Sequence, residues 1–307
     1  MITVESVSKS FDGRRVVGDI SFQAKDREIL VLLGPSGCGK TTTLKMINRL
    51  IEPESGCISI NGKNIRDQKA ETVRMGIGFV MQNSGLFPHY TVSQNIAVVP
   101  ELLKWDKRVT KRKTEELMHK LHLPEDLLFR FPKELSGGQQ QRVGIARALI
   151  ANTPVLLMDE PFAALDNITK SDIHADFKSL EELKNKTIVM VTHDVQEAFE
   201  LGHRICLMDK GKIVQVGTPG DILYRPKNDF VKDFFSGNRL LLEYKLATLK
   251  DVQPFMPDLW PLENQTRVSQ GSSVWSALQI FSTDIQYADN YEKLIRAFSE
   301  YRKLQAQ

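Results

Sequence analysis

Apolar positions at the start of the chain alternate with polar ones (Ile2, Val4 and Val7, then Ile20 and Phe22) and close in the unbroken run Ile29–Leu33. Alternation at period two predicts half-buried strands, and the unbroken run predicts a strand covered on both faces. A glycine-rich stretch follows, then residues 41–50 read as a helix stopped by the turn-prone EPESG. Short apolar runs at 58–60 and 77–81 predict further strands, the first closed by the Asn61 and Gly62 turn. From 83 to 147 the pattern is mostly helical and includes KRKTEELMHKLHL at 111–123. The runs at 155–158 and 187–191 have the length of parallel strands in a wound α/β core. Residues 205–208 and 213–216, around Lys210 and Gly211, predict a hairpin. Composition shifts near Gly237, where a turn-rich stretch (Pro254, Pro257, Pro261) leads to a final helix. That helix carries Tyr291, Leu294, Ile295, Phe298, Tyr301 and Leu304 on one stripe. A domain at 1–236, with a helical subdomain at about 83–147, and a small separate module at 237–307 are therefore expected.

Bulk properties narrow this picture without redirecting it. A chain of 307 residues with 41% hydrophobic and 26% charged residues fits a soluble globular protein with a substantial core. A formal charge of +3 gives no ground for a nucleic-acid partner, and the basic cluster at 107–113 reads as a solvated helix face. Three cysteines, Cys38, Cys57 and Cys206, show neither paired metal spacing nor a disulfide framework, as expected in a reducing cytosol. The N-terminal MITVESVSKSF has no basic head followed by an apolar run, so no signal peptide is expected. No stretch approaches the roughly 20 apolar residues that span a bilayer, so any membrane role would come through a partner.

The chemistry concentrates in a few places. Residues 34–41 read GPSGCGKT, in which Gly34 and Gly39 hold the spacing of a phosphate-binding loop. Such glycines let backbone N–H groups turn inward around phosphates, and the following helix presents its positive end. Lys40 would reach the β- and γ-phosphates, and the Thr41 hydroxyl would join the Mg²⁺ shell. The strand at 155–158 ends in Asp159 and Glu160, placing a carboxylate pair beside the phosphates. Asp159 would hold Mg²⁺ through water, and Glu160 would polarise an attacking water in phosphoryl transfer. His193 follows the next apolar strand and would hydrogen-bond the γ-phosphate or that water. Gln82, after GIGFVMQ, would ligate Mg²⁺ through its amide oxygen. The remaining histidines form no ligand spacing and read as ordinary surface or core residues. Cys38 lies near a helix N-terminus, which lowers a thiol pKa, so it is either a reagent-sensitive thiol or a buried inert one.

With LSGGQQQR at 135–142 added, the chain resembles, over residues 1 to about 236, the nucleotide-binding subunit of ATP-binding-cassette (ABC) transporters. The resemblance implies an α/β fold: a P-loop NTPase ABC ATPase core with an antiparallel β subdomain and a helical subdomain, plus a small C-terminal α/β appendage. It implies that Phe11 stacks on adenine with Val16 beneath the base, and that Gly34, Pro35, Ser36, Gly37, Cys38, Gly39, Lys40, Thr41 and Thr42 form the phosphate loop. It makes Gln82 the Q-loop residue, Ser136, Gly137, Gly138 and Gln139 the signature turn, and Asp166 the D-loop residue. Asp159 and Glu160 match the Walker B pair and His193 the switch histidine, so Glu160, His193 and Lys40 are the expected catalytic groups. In this family the signature turn of one copy completes the ATP site of the other, so a homodimer closing on two ATP with Mg²⁺ is expected. The segment 85–96 lies where such subunits dock a membrane permease, and Phe87, Pro88 and Tyr90 are apolar enough to line that contact; Phe87 packing within the helical subdomain is the other reading.

Residues 45–65, 85–105 and 228–241 are similar to importer subunits for glycine betaine, carnitine, choline and related quaternary amines. The implied protein is an ATPase at the cytoplasmic face of the bacterial inner membrane, energising uptake through a permease and an extracytoplasmic substrate-binding domain or protein. Ergothioneine, a betaine carried by close relatives, remains an open alternative, because the ATPase touches no solute. Members of this branch often carry paired CBS domains, and 266–284 looks like part of one; the tail is too short for a pair, so a degenerate dimer-contact module or one without regulatory role is equally open. A soluble ABC ATPase acting on DNA or ribosomes is the competing class, but the chain has one cassette and none of the insertions such proteins carry. A small-molecule P-loop kinase leaves LSGGQ without a job.

Overall fold

A computed structural model of the chain describes residues 1–163, 174, 177–256, 268–283 and 287–305. Two compact units divide between Val216 and Gly217, about twenty residues before the composition shift at Gly237.

In the first unit, β1 (Ile2–Phe11), β2 (Arg14–Ala24), β4 (Ser55–Ile60) and β5 (Lys63–Asn64) form an antiparallel sheet in the order β2-β1-β4-β5. The register of β1 on β2 shifts at three places; at the first, Val4 pairs with Phe22 but Val7 with Ile20, so three residues of β1 oppose two of β2. Ser6, at φ 48°, takes up the extra residue of this bulge. Val4 and Val7 consequently both face the core although they are an odd number of residues apart.

The second sheet has the order β10-β9-β3-β8-β7-β6, built from β3 (Ile29–Leu33), β6 (Ile77–Val80), β7 (Val155–Asp159), β8 (Thr187–Thr192), β9 (Arg204–Asp209) and β10 (Lys212–Gly217). Strands β3, β6, β7, β8 and β9 run parallel. Every residue of β7 and β8 is buried, as the unbroken apolar runs require. Leu33 pairs with Thr192 and Asp159 with Val191, so β3, β7 and β8 finish at one edge. Parallel sheets bind ligands outside that carboxyl edge. The hairpin β9–β10 turns through Lys210 and Gly211, both at positive φ.

Helices α1 (Lys40–Ile47) and α2 (Ala70–Met75) accompany these strands. Three longer helices lie between β6 and β7: α3 (Val92–Leu102), α4 (Lys107–Lys120) and α5 (Gly137–Leu149). Each starts where a side chain caps free backbone N–H groups: Thr91 with Gln94, Asp106, and Ser136 with Gln139. The basic stretch at 107–113 forms a solvated face of α4, with Lys111–Glu115 and Arg112–Glu116 pairs one turn apart. Helix α6 (Val195–Leu201), capped by Asp194, follows β8.

The second unit contains α7 (Pro219–Tyr224), α8 (Asp229–Ser236), α9 (Arg239–Leu246), α10 (Leu249–Val252), α11 (Val274–Ser282) and α12 (Ala288–Gln305). It has its own core, in which Leu249, Val274, Phe281, Leu294 and Phe298 are buried. The expected stripe of α12 supplies Leu294 and Phe298 to that core and flanks it with Tyr291, Ile295 and Tyr301. Leu304 does not join them: it lies in the last turn and is 56% exposed. Of the segment 266–284, the described residues hold the isolated bridge from Ser273 to Thr248 and helix α11.

Candidate functional site at the carboxyl edge of the parallel sheet

The loop from β3 to α1 turns through three glycines at positive φ, Gly34 (151°), Gly37 (78°) and Gly39 (102°). Gly39 is the N-cap of α1 and offers no side chain to the first turn. The N–H groups of Lys40, Thr41 and Thr42 thus begin a helix without intrahelical partners, which is the physical basis of an anion cradle. Ser36 and Gly37 are exposed at the loop tip, beside half-buried Pro35. The Lys40 side chain is buried, and its ammonium donates to the carbonyls of Gly34 (2.8 Å) and Pro35 (3.0 Å). The loop thereby holds its cation in place. Cys38 Sγ lies 3.8 Å from the same ammonium. Burial pushes the Cys38 thiol up despite that neighbour, so of the two readings of this cysteine the buried, unreactive one fits.

Asp159 ends β7 and is buried. Thr41 Oγ1 donates to its Oδ1 at 2.8 Å. Burial raises the Asp159 carboxyl above its ordinary value, and the Thr41 hydrogen bond and the Lys45 and Lys40 charges pull the other way. A hard hydroxyl and a hard carboxylate oxygen at hydrogen-bond distance, beside an anion cradle, suit Mg²⁺, whose charge would relieve the cost of burying the carboxylate. The donor set therefore fits the metal that the sequence implies.

Glu160 follows in the left-handed region at φ 47°, a conformation that costs about 1–2 kcal/mol for a residue with a side chain. Its N–H donates to the Val191 carbonyl (2.9 Å) of β8, which pins this backbone to the adjacent strand. Gln82 Nε2 donates to Glu160 Oε2 at 3.1 Å, and His193 Nδ1 lies 3.0 Å from Glu160 Oε1. Both oxygens of the carboxylate thus meet a side chain from a different strand end. Gln82 meets Glu160 through its nitrogen, which leaves its amide oxygen for another partner.

The signature turn sits elsewhere on this unit. Ser136 and Gly137 are exposed and Gly138 and Gln139 half-buried at the start of α5. Gln139 N donates to Ser136 Oγ, and Ser136 N donates to Gln139 Oε1. Phe11 is 42% exposed at the end of β1, with the Lys9 ammonium 5.3 Å from its ring centre, and Val16 is half-buried against the core. Asp166 lies outside the described residues.

Two residues that carried no sequence signal organise the segment after Gln82. Asn95, fully buried on α3, accepts from Phe87 N (2.8 Å) and donates to the carbonyls of Phe87, Tyr90 and Thr91. Arg147, near the end of α5, donates to the carbonyls of Gly85 and Ser84, both at 2.8 Å. Its guanidinium also lies 6.0 Å from the Phe87 ring centre. Phe87 remains 42% exposed and packs beside Tyr90 (5.3 Å between ring centres). The helix that begins in the signature turn therefore ends by gripping the exposed aromatic segment. The roles of Asn95 and Arg147 could be suspected from sequence only by knowing which backbone would come to them.

A protein-family model described as ABC transporter matches residues 17–163. The choline transport ATP-binding protein of Bacillus subtilis is 50% identical over 242 residues, 78% of this chain, and the chain spans only 64% of that relative's length. The glycine betaine uptake system ATP-binding protein of Escherichia coli K12 is 46% identical over 256 residues, covering 83% of this chain and 82% of that one. Among solved structures, a dimeric ATP-binding cassette in a post-hydrolysis state with ADP and Pi superposes with a TM-score of 0.65 at 32% identity, covering 71% of this chain and 98% of the other. Sequence motifs, sheet order and these likenesses agree, and the chain belongs to the ATP-binding proteins of the ABC transporter family.

Proposed function

We propose that this chain is the ATP-hydrolysing subunit of a bacterial ABC importer for quaternary amine or betaine-type solutes. The observation that carries the reading is the Glu160 carboxylate, held by Gln82 and His193 beside the Thr41–Asp159 pair at the mouth of the phosphate loop. A carboxylate fixed on both oxygens is oriented to take a proton from a water attacking the γ-phosphorus. The new P–O bond forms from that water as the bond to the β-phosphate oxygen breaks, yielding ADP and phosphate. Lys40 and the first-turn N–H groups of α1 would bind the phosphates, and His193, 3.0 Å from the base, would hydrogen-bond the γ-phosphate or the water. Thr41 and Asp159 would hold Mg²⁺, with the Gln82 amide oxygen as a further ligand, and the ion when bound would neutralise phosphate charge. Phe11 and Val16 are the proposed base-binding surface.

The exposed Ser136–Gly137 turn at the head of α5 has anion-binding character but no catalytic group of its own. In our reading it closes on the triphosphate held by a second copy, and Arg147 passes that closure to Phe87, Pro88 and Tyr90, where a permease docks. The domain reading of residues 1–236 as the ATPase and 237–307 as an appended module belongs to the same proposal. So does a location at the inner face of the bacterial plasma membrane; no described helix is long and apolar enough to cross it. The solute class rests on relatives named for choline, carnitine and glycine betaine transport.

Glu160→Gln tests the core of this. The amide preserves size but cannot take the proton, so ATP binding should persist and turnover should fall by about 100-fold or more. ATP should also convert the variant from monomer to dimer on a sizing column. Hydrolysis at the wild-type rate would overturn the assignment.

A further inference from the structure

The turn between β9 and β10 lies against the phosphate loop, in a place that the proposed mechanism does not use. Gly211, buried in that turn, donates its N–H to the Cys38 carbonyl (3.2 Å) inside the loop. Its own carbonyl accepts from the N–H of Gly18 (2.9 Å), two residues after Val16 on β2. One residue thus joins the loop that cradles phosphates to the strand that carries part of the proposed base surface. The packing around it is equally close. Gly211 has φ 77°, and a Cβ there would stand 2.6 Å from the Val16 carbonyl oxygen. A Cβ on Gly39 would stand 2.8 Å from the same oxygen, so the Val16 carbonyl passes between two glycines, one from the loop and one from the turn. At the other end of the loop, a Cβ on Gly34 would overlap the Met208 carbonyl oxygen of β9. The hairpin therefore approaches the loop at Gly34 and Cys38, and β2 at Val16 and Gly18, through backbone atoms.

Backbone contacts of this kind set a distance rather than recognise a group. A nucleotide carries its base and its phosphates on one ribose linker, so two half-sites gain from acting together only when their spacing matches that ligand. Fixing the spacing in advance lowers the cost of ordering the site around the whole nucleotide. A bare polyphosphate needs only the loop. We propose that Gly211 is a positioning residue: its two hydrogen bonds hold the base surface at Phe11 and Val16 at a nucleotide's span from the phosphate loop, and so set the preference for a nucleoside triphosphate over a polyphosphate without a base. This rests on the reading of Phe11 and Val16 as the base surface.

The test is calorimetry of the full chain with Mg²⁺ and either ATP or inorganic tripolyphosphate, alongside steady-state hydrolysis. Gly211→Ala should weaken ATP by about tenfold or more while tripolyphosphate changes by less than about twofold. KM for ATP should rise in step, with kcat at saturation within about twofold of the wild type, as loss of uniform binding requires. Gly62→Ala is the control: its φ of 75° carries the same backbone cost, but nothing lies within 4 Å of its Cβ position, and both affinities should stay at wild-type values. Gly18→Pro reaches the clamp from the other side and guards against a folding defect in Gly211→Ala. It removes the N–H that Gly211 accepts, adds no atom to the turn, and lies on the edge strand β2, where proline is tolerated. It should weaken ATP selectively as well. If both ligands weaken in parallel in the two variants, or if neither changes, the proposal is wrong. Phe11→Ala separates the reading beneath it. Unchanged ATP affinity in that variant would refute the base surface, whereas a selective loss there with none in Gly211→Ala or Gly18→Pro would refute the clamp alone.

Discussion

The phosphate loop depends on a contact that a single methyl group would break. Gly39 has φ 102°, and a Cβ there would stand 2.8 Å from the Val16 carbonyl oxygen and 3.0 Å from Val17 Cγ2. Gly37, in the same loop at φ 78°, has nothing within 4 Å of its Cβ position. Alanine at either site carries the left-handed backbone cost, about 1–2 kcal/mol. Only at Gly39 must the backbone of β2 also move, and overpacking of this kind adds about 1–3 kcal/mol. Gly39→Ala should therefore destabilise by about 2–5 kcal/mol and Gly37→Ala by about 1–2, against a typical total of about 5–15. Urea unfolding of both variants, compared at equal slope, gives the difference directly. Calorimetry with ATP should show the larger loss of affinity at Gly39, because Val16 and the first turn of α1 are pushed apart there. Equal destabilisation of the two variants would refute the close-approach argument and leave backbone conformation as the whole effect.

Two further outcomes follow from buried polar groups. Lys186 is 3% exposed and hydrogen-bonded to Asn152 Oδ1 (3.0 Å) and the Thr153 carbonyl, and burial lowers its pKa from 10.5 to about 8. Between those values the unfolded chain binds more protons than the folded one, so this group's cost is full below about pH 8 and is relieved as pH rises toward 10.5; the linked gain approaches about 3 kcal/mol. Lys186→Met should remove that rise from urea titrations at pH 7 to 10, and an unchanged slope would contradict it. Asn95→Ala should cost about 2–4 kcal/mol by orphaning the Phe87 N–H and three carbonyls, and should speed amide exchange across 86–92 while sparing β7 and β8; uniform exchange in that segment would show that something else holds it.

What could be seen in the sequence was whatever local punctuation reports. The unbroken runs at Ile29–Leu33, 155–158 and 187–191 are parallel strands because a strand covered on both faces has no polar positions to alternate with. Gly34, Gly39 and Lys40 sit at a strand-to-helix junction that their spacing alone marks. Local reasoning failed where distant chain decides the outcome. The helix-terminus argument for Cys38 considers only the dipole of α1, whereas burial, helped by the Asp209 charge from β9, outweighs the nearby Lys40. The apolar positions of β1 hide register shifts that only its pairing with β2 and β4 exposes. Asn95 and Arg147 look like ordinary polar residues of amphipathic helices until the backbone they serve arrives from elsewhere.

Asn95 and Arg147 share a physical logic that bears on how the site works. Glu160 is held in a costly backbone conformation, so its placement must be overdetermined by its surroundings. Gln82 reaches it from the segment that Arg147 and Asn95 fasten, and His193 reaches it from the turn that Thr192 and Glu197 fasten. Its own backbone is tied to β8 through Val191. Displacing any one of these supports would remove a contact from the carboxylate without touching the phosphate loop. In the proposed mechanism binding and turnover are therefore separable: Lys40 and the glycines of the loop would govern the first, and the three supports behind Glu160 the second. On that reading a partner pulling on Phe87 would reach the base through Arg147 and Gln82, a route that would control hydrolysis while nucleotide stays bound.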